Sequence, residues 1–284
     1  MSDEGGQGER RVALPARSEP GARGDQGREA PDSPRPDRVV FGVRPVDELV
    51  RARPREVNVV YVAEGTRSPE LERVIQTAKE RGVAVEARPR QMVAELAGDA
   101  VHQGVVAVTG RFRYATLDEI LAAAARANEA PLVVLLDGIT DPHNLGAIVR
   151  SAEVLGGHGV AIPARGAAPV TAGAVKASAG ATERLPIAEV ANLLRAIDAL
   201  RERGLMVLGA GAGSGERLDR LDLTIPTALV IGAEGKGMRE AVARRCDGLF
   251  HIPQRGAVSS LNASVAAAIA LYEAARQREN RPVI

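Results

Sequence analysis

The sequence predicts an α/β protein of two modules, a small three-layer α/β/α unit followed by a doubly wound parallel sheet. Three observations lead there. Runs of Val, Leu and Ile recur without polar alternation, as in Leu132-Val133-Val134-Leu135-Leu136, the pattern of strands covered on both faces. Stretches of helical periodicity fill the gaps between those runs, so strand and helix alternate along the chain. The alternation breaks once, at a polar-ended helical stretch over 114–128, and 284 residues leave room for about two domains.

Residues 1–37 are Gly, Pro, Arg, Asp and Glu with hardly an apolar side chain, and such a stretch buries too little surface to offset the entropy of ordering. They are expected to be a disordered tail. Its arginines alternate with acids, the pattern of a solvated segment rather than of a basic arm. In the first module, over 38–113, Val46 to Val50 has helical character. Val57-Asn58-Val59-Val60-Tyr61-Val62 reads as a buried strand, and 70–81 as a helix stopped at Gly82. Val83-Ala84-Val85-Glu86 and Val105-Val106-Ala107-Val108 supply two further strands. A linker helix over 114–128 follows, carrying Leu117, Ile120, Leu121 and Ala124.

The second module, over 129–284, repeats the apolar run at Gly159-Val160-Ala161-Ile162, Leu205-Met206-Val207-Leu208 and Thr227-Ala228-Leu229-Val230-Ile231. Helices are expected between them over 145–155, 190–203 and 239–245. A last, Ala-rich helix over 263–278 is expected to bury the stripe Val265, Ile269, Tyr272.

Composition narrows the chemistry. The chain is 45% hydrophobic but only 2% aromatic, so its core is aliphatic and a stacking platform of aromatic rings is not expected. A lone Cys246 and four scattered histidines supply neither a disulfide framework nor a metal-ligand spacing, so no metal is expected. No apolar stretch is long enough for a signal or spanning segment, which predicts a cytoplasmic location without membrane attachment. The formal net charge of +1 gives no overall polyanion signal, although a local basic face is compatible with it.

Polar residues concentrate in three loops, each opening at the end of an apolar run, where α/β proteins place ligands. Asp137-Gly138-Ile139-Thr140-Asp141-Pro142-His143-Asn144 leaves a strand and enters a helix, with Asn144 expected at the N-cap and Arg150 two turns on. A helix N-terminus beside a guanidinium suits an anion or a ribose phosphate. The bland alternative, a cap plus a surface ion pair of Arg150 with Glu153, is as good on spacing alone. Gly232-Ala233-Glu234-Gly235-Lys236-Gly237 brings three glycines after a strand, without the spacing of a P-loop. Arg150 is the expected partner of Glu234. His251-Ile252-Pro253 leads to Ser259-Ser260-Leu261-Asn262-Ala263-Ser264, whose Ser and Asn groups also fit ordinary capping, Ser264 above all. The Gly-rich 209–215 invites a dinucleotide reading, but Ser214 takes the place of the third glycine and the loop comes late in the module.

Taken together and in order, Asn144…Gly146…Arg150, Ile231-Gly232-x-Glu234-Gly235-x-Gly237 and Ile252-Pro253…Ser260-Leu261-Asn262-x-Ser264 resemble the three motifs of the SpoU (TrmH-type) branch of SPOUT methyltransferases. Phe41-Gly42-Val43 and His102-Gln103-Gly104-Val105 resemble the L30e-like substrate-binding domain that precedes it. The closest subgroup is the 2'-O-ribose methyltransferases that modify a guanosine of 23S rRNA. A tRNA ribose, an rRNA adenosine, and a non-catalytic RNA-binding protein of the same fold stand as alternatives.

The resemblance implies a Rossmann-like SPOUT domain with a deep trefoil knot, S-adenosylmethionine (SAM) bound in the knot, an RNA substrate and a homodimer. By the same resemblance Gly232, Ile252 and Leu261, with Ala210 and Gly211 as a further wall, would bind the cofactor. Asn144, Arg150, Glu234, Ser260 and Asn262 match the catalytic and substrate-positioning residues. Arg44, Arg51, Arg53, Arg55, Arg88 and Arg90 are candidates for contact with the RNA backbone.

Overall fold

In the computed structural model the described residues are 38–98, 101–211, 213, 215–256 and 260–279. The tail expected over 1–37 and the motif residue Ser259 lie outside them. The first module contains β1 (Arg38–Phe41), α1 (Val43–Ala52), β2 (Val57–Ala63), α2 (Pro69–Glu80), β3 (Val85–Arg88), α3 (Arg90–Ala97) and β4 (Val105–Thr109). Its strands lie in the order β1-β4-β2-β3, with β4 antiparallel to both neighbours and β3 parallel to β2.

Strand alternation sorts the side chains of this sheet. Val40, Val60, Val62, Val105 and Ala107 pack under α1 and α2, while Phe41, Ala63 and Val106 meet Val93 and Ala97 of α3. Helix α1 has no side-chain cap of its own at Gly42. The amide of Val43 donates instead to Gln103 Oε1 at 3.0 Å, which ties the loop before β4 to the helix start.

Helix α4 (Leu117–Ala127) occupies the stretch expected to link the modules. Thr116 and Glu119 form a capping box at its start, and Asn128 ends it in the left-handed region. It packs on the second sheet, where a Cβ on Gly159 would lie 2.5 Å from Ile120 Cγ1. The connector is therefore one of that sheet's covering helices.

The second module continues with β5 (Leu132–Asp137), α5 (Pro142–Val154), β6 (Gly159–Pro163), α6 (Ala172–Ala177), β7 (Ile187–Val190), α7 (Leu193–Glu202), β8 (Met206–Ala210), β9 (Glu216–Arg217), β10 (Thr227–Gly232), α8 (Glu240–Ala243), β11 (Gly248–His251) and α9 (Ala263–Glu279). Its seven strands run in the order β7-β6-β5-β10-β8-β11-β9, with every pairing parallel. On one face Leu132, Val134, Leu136, Leu229 and Ile231 pack against α5, α6 and α9. On the other, Val133, Leu135, Val207, Ala228 and Val230 meet α4, α7 and α8. This is the two-sided burial that the unalternated runs predict. The expected helix at 190–203 starts later, at Leu193, because Val190 ends β7 and the Asn192 side chain caps Leu194 and Arg195.

Helix α9 differs from expectation in its orientation. Ala263, Ala267, Ala270, Leu271 and Ala274 form the buried face, whereas Val265 and Tyr272 are 45% and 59% exposed. The small residues let α9 lie close against α5. At its far end Arg278 donates to the carbonyls of Ala130, Pro131, Leu223 and Ile225, fastening the helix to the starts of β5 and β10.

His158, just before β6, has a titration consequence. Its Nδ1 accepts from Leu132 N at 3.0 Å, and burial pushes the imidazole below its ordinary pKa of 6.5 against the opposing pull of Glu129. The unfolded chain then binds a proton that the folded chain refuses, so stability is fully present above pH 6.5 and falls as pH drops below it. Urea unfolding between pH 7.5 and 5 should show this slope, at most about 1.4 kcal/mol per pH unit for one proton. His158→Asn, which keeps an acceptor for Leu132, should remove this group's share of the slope.

Candidate active site

The C-terminal ends of β8, β10 and β11 and the start of α9 surround a cavity that opens to solvent. Ala210 and Gly211 form one wall, Gly232, Ala233 and Glu234 a second, and Ile252, Ser260, Leu261 and Ala266 a third. All five residues expected at the cofactor are therefore in one place, with Glu234 and Ser260 on the same lining.

The loop after β10 is folded tightly over itself. Ala233 and Gly237 exchange backbone hydrogen bonds at 3.1 and 2.8 Å, closing a hairpin-like turn that carries Glu234. The returning limb crosses Gly232 so closely that a Cβ there would lie 2.2 Å from Met238 N. Gly232 is required by that crossing. Backbone proximity likewise explains Gly215 in the Gly-rich segment after β8, where a Cβ would lie 1.9 Å from the Leu249 carbonyl oxygen.

Asn262 connects the three loops. Its Nδ2 donates to Asn144 Oδ1 at 3.1 Å and to Glu234 Oε2 at 3.0 Å. Its Oδ1 accepts from Ser264 N at 2.9 Å and Ser264 Oγ at 2.6 Å, at the start of α9. One amide thus caps a helix and bridges residues from the other two loops, while Ser264 supports it as a donor.

Two expectations are corrected here. Asn144 does not cap α5: Asp141 does, accepting from His143 N at 2.9 Å with Pro142 in the first turn, which places Asn144 one turn in and frees its side chain for Asn262. Glu234 does not hold Arg150 within the chain: its carboxylate accepts from Asn262, and no bond joins it to Arg150 among the described residues. Arg150 lies on the exposed face of α5 and has no partner among the described residues. Nor does it pair with Glu153, whose carboxylate lies 3.9 Å from Arg184.

The arginines of the first module divide similarly. Arg51 is bound to Asp47 at 2.9 Å and Arg88 pairs with Glu86, while Arg53 donates to the Thr182 carbonyl at 3.5 Å and lies over the Phe112 ring. Arg44, Arg55 and Arg90 are exposed and have no partner among the described residues.

Comparison with known proteins bears directly on this arrangement. A model of the SpoU rRNA Methylase family matches residues 131–272, and one described as RNA 2'-O ribose methyltransferase substrate binding matches residues 39–115. The chain belongs to the SpoU rRNA methylase family. This SpoU methylase is 41% identical over 243 residues to the 23S rRNA (guanosine-2'-O-)-methyltransferase RlmB of Pseudomonas syringae, covering 84% of this chain and 95% of that one.

Its fold is similar to the SpoU methyltransferase AviRb from Streptomyces viridochromogenes in complex with AdoMet. The TM-score is 0.70 at 31% identity, covering 86% of this chain and 91% of that one. It is also similar to an AdoMet-bound rRNA methyltransferase from Sinorhizobium meliloti, with a TM-score of 0.69 at 25% identity, covering 84% and 87%. The chain is an RNA methyltransferase that uses SAM.

The cavity fits that cofactor. Ile252, Leu261 and Ala266 line it with apolar side chains, and Gly211, Gly232, Gly235 and Gly237 bring backbone without side chains to the same lining, a composition suited to a nucleoside. Among the described residues no helix is long and apolar enough to cross a membrane.

Proposed function

We propose that this SpoU methylase transfers the methyl group of SAM to the ribose 2'-hydroxyl of a guanosine in 23S rRNA, acting as a cytoplasmic homodimer. The observation that carries the reading is the Asn144–Asn262–Glu234 bridge on the rim of a cavity built from three loops. The choice of guanosine and 23S rRNA rests on the likeness to RlmB along nearly the whole of that protein.

SAM supplies an electrophilic methyl on a sulfonium, and the reaction is an in-line displacement that depends chiefly on alignment. Gly232, Ile252, Leu261, Ala210 and Gly211 would hold the cofactor. Asn144, Glu234, Ser260 and Asn262 would fix the ribose at the rim. Arg150 would orient the 2'-hydroxyl and the adjoining phosphate and stabilise the developing alkoxide, since a guanidinium is not deprotonated in proteins and makes a poor base. The proton would pass to the phosphate or to solvent.

A second copy completes the site in this reading. Arg150 and Val154 lie one turn apart on the outer side of α5, and Val154 is 69% exposed. Val265 and Tyr272 are exposed on α9, which packs beside α5. An apolar surface of that kind suits a dimer in which Arg150 reaches the partner's cavity.

Residues 38–113 would form the L30e-like RNA-binding domain, with Arg44, Arg55 and Arg90 on the RNA backbone, and 129–284 the SPOUT domain. The trefoil knot is supported by strand order. β11 lies beyond β8 from β10, yet α9, which follows it, packs on α5 beside the other half of the sheet.

The test is to map 2'-O-methylation in 23S rRNA from a strain deleted for this gene. One guanosine should lose its methyl group and regain it on complementation with the wild type, whereas Arg150→Ala should restore less than about 1% of the rate. An unchanged methylation map, or full complementation by Arg150→Ala, would contradict the reading.

A further inference from the structure

Asp137 ends β5 with its side chain only 1% exposed, at the head of the first loop but outside the Asn144…Gly146…Arg150 motif that marks it. A carboxylate so deeply buried is costly unless it is fully partnered. Both of its partners come from the far end of the loop after β10. Oδ2 accepts from the backbone N of Arg239 at 2.8 Å, and Oδ1 from Arg239 Nε at 2.7 Å.

That loop begins at Gly232, which pairs with Asp137 in the register of β5 and β10. It is pinned at its entry by the close crossing over Gly232 and in the middle by the Ala233–Gly237 bonds. The Ala233–Gly237 bonds are internal to the loop, whereas the crossing holds its returning limb against the end of β10. Asp137 is the contact that fastens its exit to the neighbouring strand. A loop held at both ends to adjacent strands presents Glu234 to Asn262, and its backbone to the cavity, in one geometry.

We infer that Asp137 is a positioning residue for methyl transfer, acting through Arg239 to hold the Glu234 loop in its cofactor-binding form. The inference rests on the reading of the cavity as the SAM site. The backbone N–H of Arg239 is the essential partner, because it belongs to the loop's own chain. The Arg239 side chain, 66% exposed, neutralises the carboxylate from the solvent side.

The experiment measures SAM affinity by calorimetry and single-turnover methylation of ribosomal RNA for wild type, Asp137→Asn, Asp137→Ala, Arg239→Ala and Leu261→Asp. RNA affinity and far-UV circular dichroism are measured alongside. Asp137→Ala should weaken SAM binding at least tenfold and slow methyl transfer at least 100-fold, with RNA affinity within twofold of wild type. Asp137→Asn, which retains one acceptor, should fall between, and Arg239→Ala, which retains the backbone donor, should lose less than Asp137→Ala.

Should Asp137→Ala fail to fold, the isosteric Asp137→Asn carries the test. A folded Asp137 variant with wild-type SAM affinity and rate would overturn the inference, as would an equal loss of RNA and SAM affinity, which marks general loosening. Leu261→Asp separates the two readings. If it leaves SAM binding intact, the cavity assignment fails; if it abolishes binding while the Asp137 variants do not, only the present inference fails.

Discussion

Replacing Asn262 by serine should leave the fold nearly as stable as wild type while lowering the methyl-transfer rate about 100-fold. The amide performs two separable tasks. Its Oδ1 caps α9 through Ser264, a role that Ser or Asp fills about as well, whereas alanine would cost about 1 kcal/mol of stability. Its Nδ2 joins Asn144 to Glu234, and a serine hydroxyl is too short and has too few protons to make both bonds. Asn262→Asp sharpens the comparison: it keeps the cap but sets a carboxylate against that of Glu234, so its loss of rate should be larger still. Thermal unfolding and single-turnover rates on the same preparations check the claim. Wild-type turnover in folded Asn262→Ser would show that the bridge is incidental.

Gly232→Val should abolish measurable SAM binding, a loss of at least about 100-fold. Even the first side-chain carbon would fall 2.2 Å from Met238 N and 2.3 Å from the Gly237 carbonyl carbon, both backbone atoms that cannot swing aside. The loop must then lift off β10, and the wall that carries Glu234 goes with it. Gly235 in the same loop provides the control. It has φ +75 but nothing within 4 Å of a Cβ, so Gly235→Ala carries only the left-handed backbone cost of about 1–2 kcal/mol. Calorimetric titration with SAM should rank the three proteins wild type, Gly235→Ala, Gly232→Val. Equal affinities for the two variants would mean that the crossing over Gly232 does not shape the pocket.

Much of the fold was legible because the second sheet is buried on both faces. Runs such as Leu132 to Leu136 and Thr227 to Ile231 have no other stable placement, and both form central strands. What escaped were short elements with weak patterns. β1 and β7 have four residues each, and α6 is Ala-Gly-Ala-Val-Lys-Ala, too short to show periodicity. The face of α9 was misjudged for a physical reason. Hydrophobic periodicity weights large side chains, but close helix packing against α5 favours alanines and turned Val265 and Tyr272 outward.

At the site, the loop motifs identified the lining of the cavity, since glycine and amide residues at strand ends have few other uses. The partners within it were less legible. Charge alone suggested Glu234 with Arg150, whereas the neutral amide of Asn262 reaches the carboxylate from the adjacent loop. Asp137 opens the first loop, but nothing in the sequence pairs it with Arg239, which only the fold brings to its carboxylate.

The central claim is that the three loops deliver a sulfonium methyl to a ribose oxygen. Its most direct measurement is the alkaline hydrolysis of ribosomal RNA after incubation with this protein and methyl-tritiated SAM. Alkali cleaves RNA through the free 2'-hydroxyl, so the account predicts that the label appears in an alkali-resistant dinucleotide. Label released entirely in mononucleotides, which marks methylation of a base, would contradict it.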